Sequence, residues 1–300
     1  MQKIVVTQNL DLLPDQVARL QKLGDVTIYN EFAKDYDAWI KRVEGFDIIC
    51  TGKFGFKQKI YKLKNVFVSL PFVGTGWIDT AKTAANNVII SRCPGCISEW
   101  IVMMLLACLR RLPYYLNALE LPKGVMPVSD RGASHAVVAI LGAGNIGSRV
   151  GKICRALDMD VRYFRRGDDL QAIVGNADVV VDTLSLNPTT TGLLDAAFFS
   201  WLKPEAYFIS VTGGEIYDTE ALIRALDSNK LAGAALDAGG IQVGDSYDLY
   251  YQRLAKHPKI LATPHIAFNT ERTSRVSNDM MIDNVEAYLS GRPIHLVEAP

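Results

Sequence analysis

Residues 137–147 read VVAILGAGNIG, an apolar run that leads into the pattern G-x-G-x-x-G. The β-branched run predicts a strand, and the segment after the glycines predicts a helix. Gly142 permits the tight turn, Gly144 lets the backbone approach a pyrophosphate, and Gly147 lets the helix pack on the strand. The helix N-terminus then offers free N–H groups to the phosphates, so the stretch predicts a dinucleotide site rather than a glycine-rich turn without a ligand. The predicted contacts are Gly142, Gly144, Asn145, Ile146 and Gly147.

The end of the next predicted strand bears on the choice between NAD and NADP. An NAD site usually carries Asp or Glu there, which accepts a hydrogen bond from the ribose 2′-hydroxyl. The run VRYFRRG at 161–167 instead places Arg165 at that position, with Arg166 beside it. Because a guanidinium cannot accept from a hydroxyl but pairs well with a 2′-phosphate, NADP is predicted as the preferred cofactor over NAD. The alternative is a solvated arginine pair beside Asp168 and Asp169.

Strand and helix patterns extend in both directions from this stretch. The first series has strands at 3–7, 26–29, 47–51, 66–69 and 88–91, and helices at 15–23 and 38–43. The second has strands at 135–141, 161–164, 179–183, 207–211, 233–237 and 260–263, helices at 145–157, 219–228 and 273–289, and a short strand candidate at 293–298. A long apolar helix at 97–119 links the two series. Alternation of strands and helices predicts an α/β fold with parallel sheets.

The composition excludes several classes of protein. The chain has 300 residues, 49% of them hydrophobic, which is enough for two domains with their own cores. Lys plus Arg and Asp plus Glu number 32 each, so no basic excess indicates nucleic-acid binding. The first residues lack the pattern of a signal peptide, and the longest apolar run, 100–108, is too short to cross a membrane. We therefore expect a cytoplasmic protein that binds neither nucleic acid nor membrane.

The five cysteines are an odd number, which argues against a disulfide framework. Cys93 and Cys96 have the C-x-x-C spacing found in zinc and redox sites. A zinc site needs two further ligands, and neither a second C-x-x-C nor an H-x-x-x-H occurs, so no metal is predicted. The simpler interpretation is a turn at Pro94 and Gly95 before the long helix.

Six further motifs follow one another along nearly the whole chain. They are LPFVGTGWID (70–79), ISEW (97–100), NPTTTG (187–192), YFISVTGGEIYD (207–218), GAALD (233–237) and TPHI (263–266). Together with the glycine-rich turn, they resemble the motifs of the D-isomer-specific 2-hydroxyacid dehydrogenase family. The resemblance implies an NAD(P)H-dependent oxidoreductase that moves a hydride to or from a 2-keto or 2-hydroxy acid, or a related carbonyl compound.

The resemblance also implies an architecture. A Rossmann-type dinucleotide-binding domain, 95–279, is expected to be inserted into a flavodoxin-like substrate domain made of 1–94 and 280–300, with the substrate in the cleft. Family members are commonly dimers, so a homodimer is expected. Val73 and Gly74 are expected to offer backbone N–H groups to a substrate carboxylate. The further cofactor contacts implied are Thr183, Pro188, Val211, Thr212 and Asp237, the last through the nicotinamide carboxamide.

The catalytic positions match the family only in part. His265 matches the family's acid/base histidine, but Gly213 stands where the family has the arginine that grips the carboxylate, and Gln242 stands where it has a glutamate. Gln242 can hydrogen-bond to His265 but has no charge with which to hold the imidazole protonated. Asp245 and Asp248 are alternative replacements for the lost carboxylate.

Loss of the arginine bears on both activity and substrate. Its removal alone is expected to cost about 10²–10⁴ in rate, whereas Gly213 and Gly240 together open space for a bulkier substrate or one without a carboxylate. Lys53, after a strand end, is a candidate replacement cation, with an ordinary surface lysine as the alternative. Three hypotheses stay open: a carbonyl reductase with His265 as acid, a catalytically impaired dehydrogenase-like protein that binds the cofactor as a sensor or interaction partner, and an enzyme whose arginine was deliberately replaced.

Overall fold

The computed structural model describes residues 1–93, 95, 97–112, 115 and 132–297 of the chain. The chain divides into two compact units, Met1–Gly95 with Asn269–Pro300, and Cys96–Phe268. In sequence, the second unit is therefore inserted between two segments of the first. The expected boundary at 279/280 falls inside the last helix, and the observed division at 268/269 precedes it because the whole helix packs on the first unit.

The strands form two sheets in which every pairing is parallel. The strands are β1 Lys3–Val6, β2 Asp25–Ile28, β3 Ile48–Cys50, β4 Val66–Leu70, β5 Val88–Arg92, β6 Val137–Leu141, β7 Asp160–Phe164, β8 Val179–Asp182, β9 Ala206–Ser210, β10 Leu231–Asp237 and β11 Ile260–Thr263. The helices are α1 Pro14–Leu23, α2 Tyr36–Val43, α3 Phe56–Lys59, α4 Thr80–Ala85, α5 Ser98–Leu109, α6 Asn145–Ala156, α7 Leu170–Val174, α8 Ala196–Trp201, α9 Thr219–Asp227, α10 Leu249–Ala255 and α11 Glu271–Leu289. The predicted α/β fold class is confirmed.

The sheet of the first unit has the strand order β2-β1-β3-β4-β5, the order of flavodoxin-like folds. Alternate residues of β1 point to opposite faces, so Ile4 and Val6 enter one core and Val5 enters the other. Helix α11 covers the first of these faces, with Met281 and Val285 fully buried in the core that contains Ile4. This helix is therefore part of the first unit's core despite its distance in sequence.

The predicted strand at 293–298 is reduced to one antiparallel bridge, between Ser91 and Leu296. Val297 N–H donates to the carbonyl of Ile90 at 2.8 Å, which holds the tail against the edge strand β5. Glu298 lies outside the described residues.

The cysteine pattern is only partly described. Cys93 is buried, and its thiol lies 3.0 Å from the carbonyl oxygen of Ser277, whereas Pro94 and Cys96 lie outside the described residues. Within the described ranges, no group of three His, Cys, Asp or Glu side chains is placed to hold a metal ion.

The sheet of the second unit has the order β7-β6-β8-β9-β10-β11. The chain reverses its direction of travel across the sheet between β7 and β8, so the switch point lies at the carboxyl ends of β6 and β8. Ligands of open parallel sheets bind at such a point. Helix α5 covers one face, where Val138 and Ile140 are buried, and Ala139 and Leu141 enter the core on the opposite face.

The long predicted helix at 97–119 is observed as α5, which begins at Ser98 and ends at Leu109. The part of the prediction beyond 112, including Pro113, lies outside the described residues except for Tyr115. Of the helices that the structure describes, none combines the length and the apolar character needed to cross a membrane.

Candidate active site

The glycine-rich turn joins β6 to α6 at the switch point of the second sheet. Gly142 has a φ of +100°, which a residue with a side chain rarely adopts, and its N–H donates to Phe164 O at 3.2 Å. A Cβ at Gly147 would overlap the carbonyl oxygen of Gly142, so this position requires glycine. A Cβ at Gly144 would meet nothing within 4 Å, which leaves open space in front of the turn.

The N-terminus of α6 faces this open space. Among the hydrogen bonds of the described residues, none supplies an acceptor for the backbone N–H groups of Asn145, Ile146 or Gly147. Such N–H groups, at the positive end of a helix, bind phosphate. The turn, the open space and the free donors therefore fit the pyrophosphate of a dinucleotide.

Thr183, just after β8, forms hydrogen bonds with the glycine-rich turn across the switch point. Its hydroxyl lies 2.9 Å from Leu141 O and 3.1 Å from Gly142 O, so the end of β8 is tied to the glycine turn. Pro188 lies further along the same connection and is exposed. Asn187 organises that loop, because its Oδ1 accepts from the N–H and the hydroxyl of Thr189.

Arg165 and Arg166 are both exposed just beyond the end of β7. The neighbouring acids are engaged with the backbone: Asp168 accepts from Arg165 N–H at 2.7 Å, and Asp169 caps α7 by accepting from Ala172 N–H at 3.1 Å. The ion pairs of the described residues include neither arginine, so both guanidinium groups are available to an anion.

A buried carboxyl group connects β8 to the segment after β9. Asp182 is fully buried and accepts from the hydroxyls of Ser210 at 2.9 Å and Thr212 at 2.5 Å, and from Leu184 N–H at 3.0 Å. Burial raises the pKa of Asp182 to about 6, although these hydrogen bonds act in the opposite direction. The carboxyl group therefore orients Thr212 and its neighbour Val211, two of the expected cofactor contacts.

His265 lies in the loop after β11 in a left-handed conformation, with a φ of +55°. Asp237, at the end of β10, holds this loop through both carboxylate oxygens. Oδ1 accepts from the hydroxyl of Thr263 at 2.5 Å and from Ile266 N–H at 2.8 Å, and Oδ2 accepts from Ala267 N–H at 2.9 Å. In this structure Asp237 thus positions the histidine loop, a role that the sequence did not suggest.

The imidazole of His265 is oriented by a backbone group. Its Nδ1 lies 3.2 Å from the carbonyl oxygen of Ile241, so Nδ1–H donates there and Nε2 is the nitrogen left for a substrate. Gln242 is exposed, and its side chain makes no described hydrogen bond with His265. The two alternative carboxylates serve local turns, with Asp245 accepting from Tyr247 N–H and Asp248 capping α10.

Gly213, at the position of the family arginine, lies beside the segment that follows β10. Gly213 pairs with Gly239 in an isolated parallel bridge, which brings the chain after β9 beside the chain after β10. Glu215 places its carboxylate against Gly213 and near Gly240. Glu215 belongs to the motif at 207–218 and was not predicted as a site residue; the sequence signal is an acid two residues after the position of the family arginine.

The expected substrate residues belong to the first unit, at the carboxyl ends of its strands. The backbone N–H groups of Val73 and Gly74 have no acceptor among the described residues, and a Cβ at Gly74 would meet open space. Lys53 follows β3, with its ammonium 5.4 Å from the centre of the Phe72 ring. Desolvation, with repulsion from Lys57 adding to it, lowers the pKa of Lys53.

Comparison with known proteins identifies the family. The family model described as D-isomer specific 2-hydroxyacid dehydrogenase, NAD binding domain, matches residues 102–267, which is more than half of the chain. The chain belongs to the D-isomer specific 2-hydroxyacid dehydrogenase family. It is therefore an oxidoreductase with a domain for a nicotinamide dinucleotide.

Two relatives and one solved structure illustrate how far the likeness to this dehydrogenase family extends. The glycerate dehydrogenase of Methylorubrum extorquens is 25% identical over 282 residues, 87% of this chain and 88% of the relative. The D-lactate dehydrogenase of Streptococcus agalactiae is 26% identical over 264 residues, 77% of this chain and 80% of the relative. The structure of an acyclic imino acid reductase in complex with NADPH and D-Arg has a TM-score of 0.83 at 20% identity, over 99% of this chain and 100% of that one, a likeness of fold.

Proposed function

We propose that this protein transfers a hydride between a nicotinamide dinucleotide and a 2-keto or 2-hydroxy acid, or a related carbonyl compound, with His265 as the acid/base. The observation that carries this proposal is the orientation of the imidazole. Because Ile241 O accepts from Nδ1–H, Nε2 is the ring nitrogen that serves a reacting oxygen. The glycine turn before α6 supports the cofactor half of the proposal.

In the second unit, His265 is proposed to transfer the proton and Asp237 to position the histidine loop. When bound, the reduced nicotinamide supplies the hydride, which carries two electrons. In the direction of reduction, His265 donates the proton from Nε2 to the carbonyl oxygen as the C=O electron pair moves onto that oxygen, which gives a hydroxyl group. In the reverse direction, neutral Nε2 accepts the hydroxyl proton. Asp237 keeps the loop of His265 in place during both steps.

NADP is proposed as the preferred cofactor. The support is the pair of exposed guanidinium groups at the end of β7, Arg165 and Arg166, without a carboxylate partner among the described residues. Two cations at this position attract a 2′-phosphate, which NADP has and NAD lacks.

The first unit is proposed as the substrate domain, as the family resemblance implies for 1–94 and 280–300. Its free backbone donors at Val73 and Gly74 suit a carboxylate or carbonyl oxygen, and Lys53 is proposed as the cation beside them. A partly desolvated ammonium interacts more strongly with an anion than a fully hydrated one does.

A homodimer and a cytoplasmic location stay predictions. Met103 on α5 is 55% exposed, and we propose that a second copy of the chain covers this residue. Sedimentation over a range of concentrations measures the state of association directly.

The proposed activity is tested by following oxidation of NADPH and NADH by absorbance with glyoxylate, hydroxypyruvate and phenylpyruvate. The variant His265→Asn suits the left-handed backbone and removes the reacting nitrogen. We expect it to lower kcat by about 10²–10⁴ and to leave the calorimetric Kd for NADPH nearly unchanged. Tight cofactor binding by the wild-type protein without turnover of any carbonyl compound would instead favour the sensor hypothesis.

A further inference from the structure

The aromatic ring of Tyr163 lies against two guanidinium groups. Tyr163 belongs to β7 and is partly buried beside the core that α5 covers. Cζ of Arg155 lies 5.2 Å from the centre of the ring, and Cζ of Arg165 lies 5.7 Å from it. Both distances are within the roughly 6 Å over which a cation is attracted to the face of an aromatic ring. Tyr163 therefore contacts the arginine on which the proposed preference for NADP depends.

The direction of the side chains on β7 explains why Arg165, rather than Arg166, meets this ring. Side chains two residues apart on a strand point to the same face, so Arg165 continues the face of Tyr163 as the chain leaves β7. The cation–π contacts of the described residues include none made by Arg166. Between Tyr163 and Arg165, the carbonyl oxygen of Phe164 accepts from Gly142 N–H at 3.2 Å. The ring thus holds a cation next to the glycine-rich turn that is expected to bind the pyrophosphate.

The ring itself is held by helix α6. Gly151 on that helix is buried, and its lack of a side chain leaves room for the phenol, because a Cβ there would overlap the hydroxyl oxygen and lie 2.8 Å from the ring carbon that bears it. Arg155, in the last turn of the same helix, donates from Nη1 to the hydroxyl of Tyr163 at 3.4 Å. A tyrosine side chain is rigid and has two rotatable bonds, so the ring is a firmer support than either arginine side chain is alone.

Neither guanidinium group on this ring has a carboxylate partner among the described residues. The ion pairs of those residues include none made by Arg155 or Arg165, and the nearby Asp168 accepts from the backbone N–H of Arg165. Two cations beside one ring repel each other, and an anion from outside the chain relieves this repulsion. A phosphate monoester, which carries a charge of about −1.5 to −2 at neutral pH, suits such a place.

We infer that Tyr163 is a positioning residue for the cofactor: its ring holds the guanidinium of Arg165 at the 2′-phosphate of NADP, and Arg155 adds a second positive charge beside the same ring. The inference rests on the proposed preference for NADP and adds the residues that make Arg165 effective. An arginine already stacked on a ring loses less conformational freedom when it binds a phosphate than a free one does. Every residue of this site lies in the second unit.

The test measures the calorimetric Kd of the full chain for NADPH and for NADH. Tyr163→Leu removes the ring and is expected to raise the NADPH Kd about fivefold, while the NADH Kd changes by less than about twofold. Tyr163→Phe keeps the ring and loses only the hydroxyl, so both constants should stay within about twofold of the wild-type values. Tyr163→Ile, which suits a strand, takes the place of Tyr163→Leu if urea denaturation shows that the leucine variant does not fold.

Tyr29→Leu is the matched control. Tyr29 lies in the first unit, and the guanidinium of Arg42 lies 4.2 Å from the centre of its ring. The replacement removes a cation–π contact of the same kind from outside the nucleotide-binding unit, so it should change neither constant. A selective rise of the NADPH Kd in this control as large as that in Tyr163→Leu would overturn the inference.

The double variant Tyr163→Leu with Arg165→Ala distinguishes a positioning role from a structural one. If the ring acts through Arg165, the double variant binds NADPH as weakly as Arg165→Ala alone does. Additive losses, or an equal rise of both Kd values in Tyr163→Leu, overturn the inference. A selective loss of NADPH affinity in Arg165→Ala without one in Tyr163→Leu also overturns it and leaves the preference for NADP standing. Equal effects of Arg165→Ala on the two cofactors refute the preference itself, and the inference with it.

Discussion

Asp237 and Ile266 are joined by a hydrogen bond of 2.8 Å between Oδ1 and the backbone N–H of the residue that follows the histidine. Asp237 is 3% exposed, and its other oxygen accepts from Ala267 N–H. The side chain of Asp237, at the end of β10, thereby fixes the backbone of the residues that follow His265. The geometry of the acid/base depends on a neighbouring strand of the same sheet.

We expect Asp237→Asn to lower kcat/KM by about 10², because an amide cannot accept at both ends and the histidine loop shifts. Thr263→Val removes only the hydroxyl that donates to Oδ1, so its effect is expected to be smaller. Steady-state kinetics and the NADPH Kd measure both. Equal losses in the two variants would contradict the role given to the backbone contacts.

The buried carboxyl of Asp182 predicts a dependence of stability on pH. Its pKa is about 6 in the folded protein, against 3.8 as the ordinary value. Below 3.8 the group is protonated in both states, and between the two values only the folded protein keeps the proton. The contribution of Asp182 to stability therefore falls as pH rises through this range, by about 3 kcal/mol, and is constant above it.

Asp182→Asn removes the titrating group. The amide oxygen of the asparagine can still accept from Leu184 N–H, and its NH₂ group can donate to the hydroxyls of Ser210 and Thr212. Urea denaturation between pH 4 and pH 7, a range chosen to include both values, is expected to give a flatter pH dependence for the variant. Parallel curves for the two proteins would show that Asp182 is not the group responsible.

Two of the three glycines of the nucleotide turn, Gly144 and Gly147, are expected to respond differently to replacement by alanine. Gly147→Ala forces a Cβ onto Gly142 O, so it should destabilise the fold by about 1–3 kcal/mol. At Gly144 the new methyl group meets no protein atom, so Gly144→Ala should fold normally and bind NADPH about tenfold more weakly, because it enters the space for the pyrophosphate. Urea denaturation and calorimetry separate the two outcomes. Unchanged NADPH affinity in Gly144→Ala would place the pyrophosphate elsewhere.

The choice of cofactor is tested with Arg165→Ala. We expect the NADPH Kd to rise by about tenfold or more while the NADH Kd changes little, since only NADPH presents a 2′-phosphate. Arg162→Ala, on β7 just before Arg165 but paired with Asp160, is the matched control and should leave both constants unchanged. Equal weakening of the two cofactors by Arg165→Ala would refute the preference for NADP.

Features that depend on short segments were predictable from the sequence. The strands and the glycine turn follow from local pattern, and β6 with α6 begins and ends close to the predicted positions. The contacts of His265 with Ile241 and Asp237 join segments far apart in sequence, and no local pattern specifies them. The approach of Glu215 to Gly240 likewise joins separate segments, which the bridge between Gly213 and Gly239 brings together.

The boundary of the first unit was misplaced for the same physical reason. The pattern of α11 shows an amphipathic helix, but not which sheet receives its apolar face. Its partners, among them Ile4 and Leu20, lie near the opposite end of the chain.

The position of α11 has a consequence for how the chain matures on the ribosome. Residues 96–268 are continuous, so that unit is complete in sequence once they have emerged. The first unit cannot close its apolar sheet face until Met281, Ile282 and Val285 have been translated, although its first strand is made earliest. Truncation before α11 should therefore leave the amino-terminal sheet exposed to aggregation and proteolysis while the inserted unit folds.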